Sequence, residues 1–150
     1  YNNEFTYLKP SLSIDFPLHP SGAAVLATKI GAHMNFGANY EFYHAATLGV
    51  NNDLRGFRNQ RFNGQTAFYQ STDLRTGSLH FRTNFIPVRL GVSAGFDYGR
   101  VWVDNENSDK WHPSYGGSVF INGFKALTAN VGYYLSDESN RIIFTLGFAF

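Results

Sequence analysis

Four groups of residues in this chain have types and spacings that chemistry uses. Gly91-Val-Ser-Ala-Gly95 matches the G-x-S-x-G pattern of serine hydrolases, where a sharp strand-to-helix turn exposes the serine to a histidine and an acid. His19, His33, His44, His80 and His112 offer imidazole nitrogens to a metal. Asp104-Asn-Glu-Asn-Ser-Asp109 offers oxygens to a hard cation. Arg55, Arg58 and Arg61 form a cationic cluster suited to phosphates or carboxylates. The first three meet simple objections. Around Ser93 the chain alternates Leu90, Val92, Ala94, Phe96 and Tyr98 with Arg89, Gly91, Ser93, Gly95, Asp97 and Gly99, which is a strand running straight through the supposed elbow. The histidines lack short ligand spacing, and the acidic run lacks the glycine and terminal glutamate of an EF-hand. No catalytic residue, metal or cofactor is therefore expected. The arginines have no interleaved stacking aromatics on a sheet platform, and with a net charge of +1 nucleic acid is not an expected partner.

The elements that must position these residues are strands. The last ten residues put Ile142, Phe144, Leu146, Phe148 and Phe150 on one face, against Arg141, Ile143, Thr145, Gly147 and Ala149. Residues 5–18 place Leu8, Leu12, Ile14, Phe16 and Leu18 opposite Lys9, Ser11, Ser13 and Asp15. Residues 23–36 place Leu26, Ile30, Met34 and Phe36 opposite Lys29, Gly31, His33 and Asn35. Strands are also predicted over 66–82, 88–103, 114–123 and 126–136, the Gly-rich fifth with an open phase. One apolar face and one small or polar face suit a wall with hydrocarbon outside and a wet or packed interior. The spacing thus predicts an all-β fold, an antiparallel transmembrane β-barrel. With 15 Phe, 9 Tyr, 2 Trp, 15 Gly and no Cys, the composition agrees and excludes a disulfide framework. No stretch approaches the roughly 20 apolar residues of a membrane helix.

Connections support an orientation. If the chain ends on the periplasmic side, the long or polar connections at about 37–65, 104–113 and 137–140 fall outside. The short ones at 19–22, 84–87 and 124–125 fall inside. Seven segments is an odd count, whereas bacterial single-chain barrels have an even one. An eight-stranded barrel, or the C-terminal half of a sixteen-stranded barrel, is expected. Residues 1–150 are read as one barrel domain, a fragment of a longer chain, since they open Tyr1-Asn-Asn-Glu4 with neither Met nor a signal sequence.

The outer loop at about 37–65 contains Tyr40-Glu-Phe-Tyr-His-Ala-Ala-Thr-Leu-Gly49, then Val50-Asn-Asn-Asp-Leu-Arg-Gly-Phe57. Ser71-Thr-Asp-Leu-Arg75 and Gly95-Phe-Asp-Tyr-Gly-Arg-Val-Trp102 follow, and the chain ends on a phenylalanine strand. This ordered set over residues 40–150 resembles the BamA-type superfamily, the bacterial surface antigens that include two-partner-secretion transporters. Arg55-Gly-Phe-Arg-Asn-Gln-Arg-Phe-Asn-Gly64 also resembles barrels fused to phosphoesterase domains.

The resemblance implies that the loop folds into the barrel lumen through Leu54, Arg55, Gly56 and Phe57. Arg55 would pair with wall acids Asp97 and Asp73, Gly56 would allow close approach or a positive φ, and Phe57 would wedge against the wall. For Asp73 the strand phase places Gln70, Thr72, Leu74 and Thr76 on the lipid side, a poor lipid surface unless a bulge near Gly77 shifts it. Ile142, Phe144, Leu146, Phe148 and Phe150 would form the C-terminal assembly signal. Tyr40, Tyr43, Tyr98, Trp102 and Trp111 would anchor at the outer interface. The implied role is insertion of outer-membrane proteins or polypeptide translocation in the bacterial outer membrane. Its partners would be outer-membrane lipids, lipopolysaccharide, nascent outer-membrane proteins or a fused periplasmic domain. The alternative is a small barrel that anchors or docks a fused or partner domain, such as a phosphoesterase, without insertase activity.

Overall fold

A computed structural model describes residues 6–36, 45–50, 53–82, 87–103, 109–123 and 127–148, without the side chains of residues 78, 80–82, 87 and 148. Every regular element among them is a strand: β1 (Thr6–Leu8), β2 (Ser11–Pro17), β3 (Ala24–Phe36), β4 (Ala46–Leu48), β5 (Phe62–Gly64), β6 (Thr66–Arg82), β7 (Pro87–Trp102), β8 (His112–Gly123), β9 (Leu127–Ser136) and β10 (Asn140–Phe148). They build one antiparallel sheet in the order β1-β3-β6-β7-β8-β9-β10, with β2 also paired to β3, and a separate β4–β5 pair. Leu8 opposes Met34 and Ser11 opposes Gly31, so β1 and β2 keep one register along β3. They form one strand interrupted at Lys9-Pro10, because a proline has no N–H to give the ladder. Seven strand positions result.

Register fixes which side chains share a face. Across β3, β6, β7, β8 and β9, one row runs Lys29–Ser71–Asp97–Ser114–Ser136. The next runs Ala27–Asp73–Gly95–Gly116–Tyr134. On the opposite face Leu26–Leu74–Ala94–Gly117–Tyr133–Ile142 form one row. The first face is covered and the second is bare: Asp97 and Ser114 are 0% exposed, whereas Val92, Phe96, Val119 and Phe144 are 46–67% exposed. The buried apolar cluster (Ala46, Leu48, Leu54, Phe57, Ala67 and Val101) lies between the 45–65 loop and the covered face. A single cavity of about 440 Å³ is lined by residues of β2, β3, β6, β7, β8 and β9, so the sheet curves around it.

Three local features depart from the alternation. The loop carries its own hairpin, β4–β5, with Ala46 opposite Gly64 and Leu48 opposite Phe62. Strands of three residues are too short to show a period, and a buried loop must pair its backbone. The register between β6 and β7 shifts between Thr76 and Leu79, placing a bulge at residues 77–78. It lies beyond Asp73, so the phase over 66–76 is unbroken and Asp73 stays on the covered face. The polar set on the other face persists, and Thr72 Oγ1 lies 3.3 Å from both Thr28 Oγ1 and Gln70 Nε2. Finally, β8 begins at His112, two residues before the expected start, and its covered residues are His112, Ser114 and Ser118.

Candidate functional site

The loop reaches the sheet through Leu54-Arg55-Gly56-Phe57. Leu54 N–H donates to Gly49 O at 3.0 Å, and Phe57 N–H donates to Leu54 O at 3.2 Å, a tight turn that points Arg55 at the wall. Asp53 and Gln60 hold positive φ (64° and 51°) on either side, a conformation that Asp tolerates better than most residues. Leu54 and Phe57 are fully buried. Phe57 meets Phe62 edge-on at 5.0 Å and His112 at 5.8 Å.

Arg55 is held from three strands, β6, β7 and β9. Its Nε donates to Asp97 Oδ2 at 2.9 Å and its Nη2 to Asp97 Oδ1 at 2.5 Å, a bidentate fork. Its own backbone N–H donates to Asp97 Oδ2 at 3.1 Å. Nη1 donates to Tyr134 Oη at 2.7 Å, with the guanidinium 4.4 Å from that ring's centre. Nη2 also donates to Ser71 Oγ at 3.1 Å. Asp73 Oδ1 stands 2.7 Å from Nη1 without hydrogen-bond geometry, so that oxygen is held by charge alone. Asp73 Oδ2 meets Arg75 Nη2 at 3.1 Å. Ser71 and Ser114 hydroxyls donate to Asp97 as well, at 2.7 and 3.2 Å. A buried carboxylate so fully supplied with donors meets the condition for keeping a charge out of water. Burial alone would lower the Arg55 pKa, but Asp97 and then Asp73 outweigh it and raise it. The guanidinium stays charged over the whole accessible pH range.

Space for the fork comes from glycine. A Cβ at Gly95 would collide with the Arg55 guanidinium and Asp73, and one at Gly116 with Tyr134. Gly56 is needed for close approach rather than positive φ, because a Cβ there would strike Ser114 and the Leu135 backbone. Its N–H donates to Ser114 Oγ at 3.2 Å, and its carbonyl accepts from Ser136 Oγ at 3.0 Å and Ser139 Oγ at 2.8 Å. Two outer ion pairs finish the attachment: Arg61 forks onto Glu138 at 2.6 and 3.0 Å, and Lys29 Nζ donates to Asp53 at 2.9 Å.

The other singled-out residues are elsewhere. Gly91–Gly95 lies inside β7, and Ser93 Oγ is 2.6 Å from Ser118 Oγ. No described group of three His or acidic residues is placed to hold a metal. Arg58 is exposed. Ile142, Phe144 and Leu146 project from β10, 57–74% exposed; Phe148 is in β10 with its side chain outside the description, and Phe150 lies outside the described residues. Tyr40, Tyr43, His44 and residues 104–108 lie outside them too. Trp111 packs at 5.3 Å from Tyr98, 6.0 Å from Phe68 and 6.3 Å from Trp102, a cluster at the loop end of the bare face.

No family model, curated protein or solved structure matches the chain. The geometry itself describes a structural clamp: one arginine, two acids, a tyrosine and four serines fastening a loop to the sheet. Ser114, Tyr134, Ser136 and Ser139 were not singled out by any motif. Three of them occupy positions whose alternation faces the loop; Ser139 lies in a turn with no pattern to mark it.

Proposed function

We propose that the chain is a region of an outer-membrane β-barrel of the BamA-type superfamily, with the Arg55 loop seated in the lumen, serving insertion of outer-membrane proteins or passage of polypeptides. The observation that carries this reading is the Arg55 fork on Asp97, with Asp73 beside it. The residues that carry the resemblance meet in space although 42 positions separate Arg55 from Asp97. A bare face of Val, Phe, Leu and Tyr opposite a covered face of Ser, Asp and Gly supports lipid as the outer solvent. In lipid the two sheet edges, β1/β2 and β10, require pairing with each other or with further strands, since unpaired backbone there is very costly. No bond-making chemistry belongs to this reading.

Breaking the fork by Arg55→Ala or Asp97→Ala leaves the other charge buried and is expected to cost about 3–5 kcal/mol. The measurement is heat-modifiable gel migration of the membrane-extracted protein together with assembly of other outer-membrane proteins. Wild-type migration and assembly in both variants would overturn the reading. The tightness of the loop seat, with Leu48, Leu54 and Phe57 buried to within 1%, favours a second role as anchor or docking platform for a fused or partner domain, such as a phosphoesterase. Depletion of the protein separates the two, because only an insertase slows assembly of unrelated barrels.

A further inference from the structure

Charge is segregated along the strands. Antiparallel order brings the described residues 16–26, 74–82, 87–94, 117–123, 127–133 and 142–148 to one end of the sheet, the end away from the Arg55 loop. These segments contain no Asp or Glu, yet they hold Arg75, Arg82 and Arg89 with His19 and His80. All 11 acidic residues belong to the rest of the chain. On the covered face at this end, Arg75 and Arg89 line the cavity of about 440 Å³ together with Phe120, Asn122, Thr128 and Asn130. Asp15 and Asp73 line the same cavity, but Asp73 is engaged by Arg55 and Arg75. Asp15 opposes Ala27 in the row of Asp73, toward the loop end. Among the described residues Arg89 has no carboxylate partner. It opposes Asn122, which in turn opposes Thr128. Thr128 Oγ1 donates to Asn122 Oδ1 at 2.8 Å, which leaves the Asn122 amide N–H groups to face an acceptor.

We propose that this turn-end mouth of the cavity binds a phosphate-type oxyanion, with Arg89 as its principal ligand and Arg75 and Asn122 Nδ2 as supporting donors. Donors arriving from β6, β7 and β8 suit an anion with several oxygens better than a planar carboxylate held by one fork. An end of single-signed charge also concentrates anions at its mouth before they bind. The oxyanion is either free in solution or the phosphodiester of an anionic lipid headgroup, one not neutralised by its own choline.

The test uses the full chain refolded in zwitterionic micelles, with folding checked by heat-modifiable migration. Inorganic phosphate is titrated against chloride at constant ionic strength while arginine side-chain NMR resonances are followed. A saturable shift of the Arg89 resonance is expected. Arg89→Gln should weaken the apparent affinity about tenfold, Arg89→Lys less, and Arg58→Gln on the outer loop not at all. In a second arm, phosphatidylcholine nanodiscs with and without phosphatidylglycerol replace micelles and no free phosphate is added. A shift only with phosphatidylglycerol identifies the headgroup as the source; a shift with phosphate alone identifies the solute. Folded protein with no saturable shift in either arm, or unchanged affinity in Arg89→Gln, overturns the site and leaves the membrane reading standing.

Discussion

Asp97 is the residue on which the site turns. It is fully buried, and its two oxygens take donors from Arg55, Ser71 and Ser114. Tyr134, which accepts from Arg55, can be dissected more finely. Tyr134→Phe keeps the ring under the guanidinium and removes the 2.7 Å hydrogen bond from Arg55. The expected loss is about 1.5–3 kcal/mol in urea unfolding. Gly95→Val should cost about 1–3 kcal/mol through crowding alone, because the new side chain displaces Arg55 without removing any charge. In an Arg55→Ala background the same substitution is expected to cost less, because only the contact with Asp73 remains to be relieved. At this scale the sequence was informative wherever parity met a motif. The alternation of 88–103 sets Asp97 opposite Phe96 and Tyr98, and the small residues there mark where a loop can enter. Ser114 was hidden by the unresolved phase of a Gly-rich strand, and Ser139 by the absence of any period in a turn.

Strands differ in what their two faces tolerate. On β10, Phe144 faces out beside Val131 while Thr145 lies on the other face beside Asn130. If the bare face meets hydrocarbon, Phe144→Arg should cost about 2–4 kcal/mol near the bilayer middle and Thr145→Arg far less, measured by urea unfolding in phospholipid vesicles. Equal, small costs would mean that water bathes both faces. The Arg61–Glu138 pair joins the loop to the β9–β10 turn, but both partners are substantially exposed, so Arg61→Ala should change stability by about 0–1 kcal/mol. Long strands were legible because each supplies several periods of two. The β4–β5 hairpin was not, since three residues give no period, and the bulge at 77–78 leaves no mark except a glycine. The break at Lys9-Pro10 could be read from proline chemistry, yet the register is continuous across it because the neighbouring carbonyl still accepts: Ala32 N–H donates to Pro10 O at 3.0 Å.

As a whole the molecule has two unlike ends. The loop end carries the clamp and the Phe68–Tyr98–Trp102–Trp111 aromatic cluster; the turn end carries only basic charge. Both tryptophans, Trp102 and Trp111, are on one side of the sheet's mid-height. In vesicles their fluorescence should be quenched more by bromines near the headgroups than by bromines near the bilayer centre; the opposite order would remove the interfacial placement. The seat of the loop also has a consequence for time. Gly56 is capped by Ser136 and Ser139, 80 and 83 positions later, and Arg55 leans on Tyr134, 79 positions later. Contacts so distant along the chain form only after large loop-closure entropy has been spent. A chain emerging from its N-terminus can therefore fork Arg55 onto Asp97 once β7 is made. The Tyr134, Ser136 and Ser139 contacts wait for the final hairpin, which makes completion of the last two strands the event that closes the loop's seat.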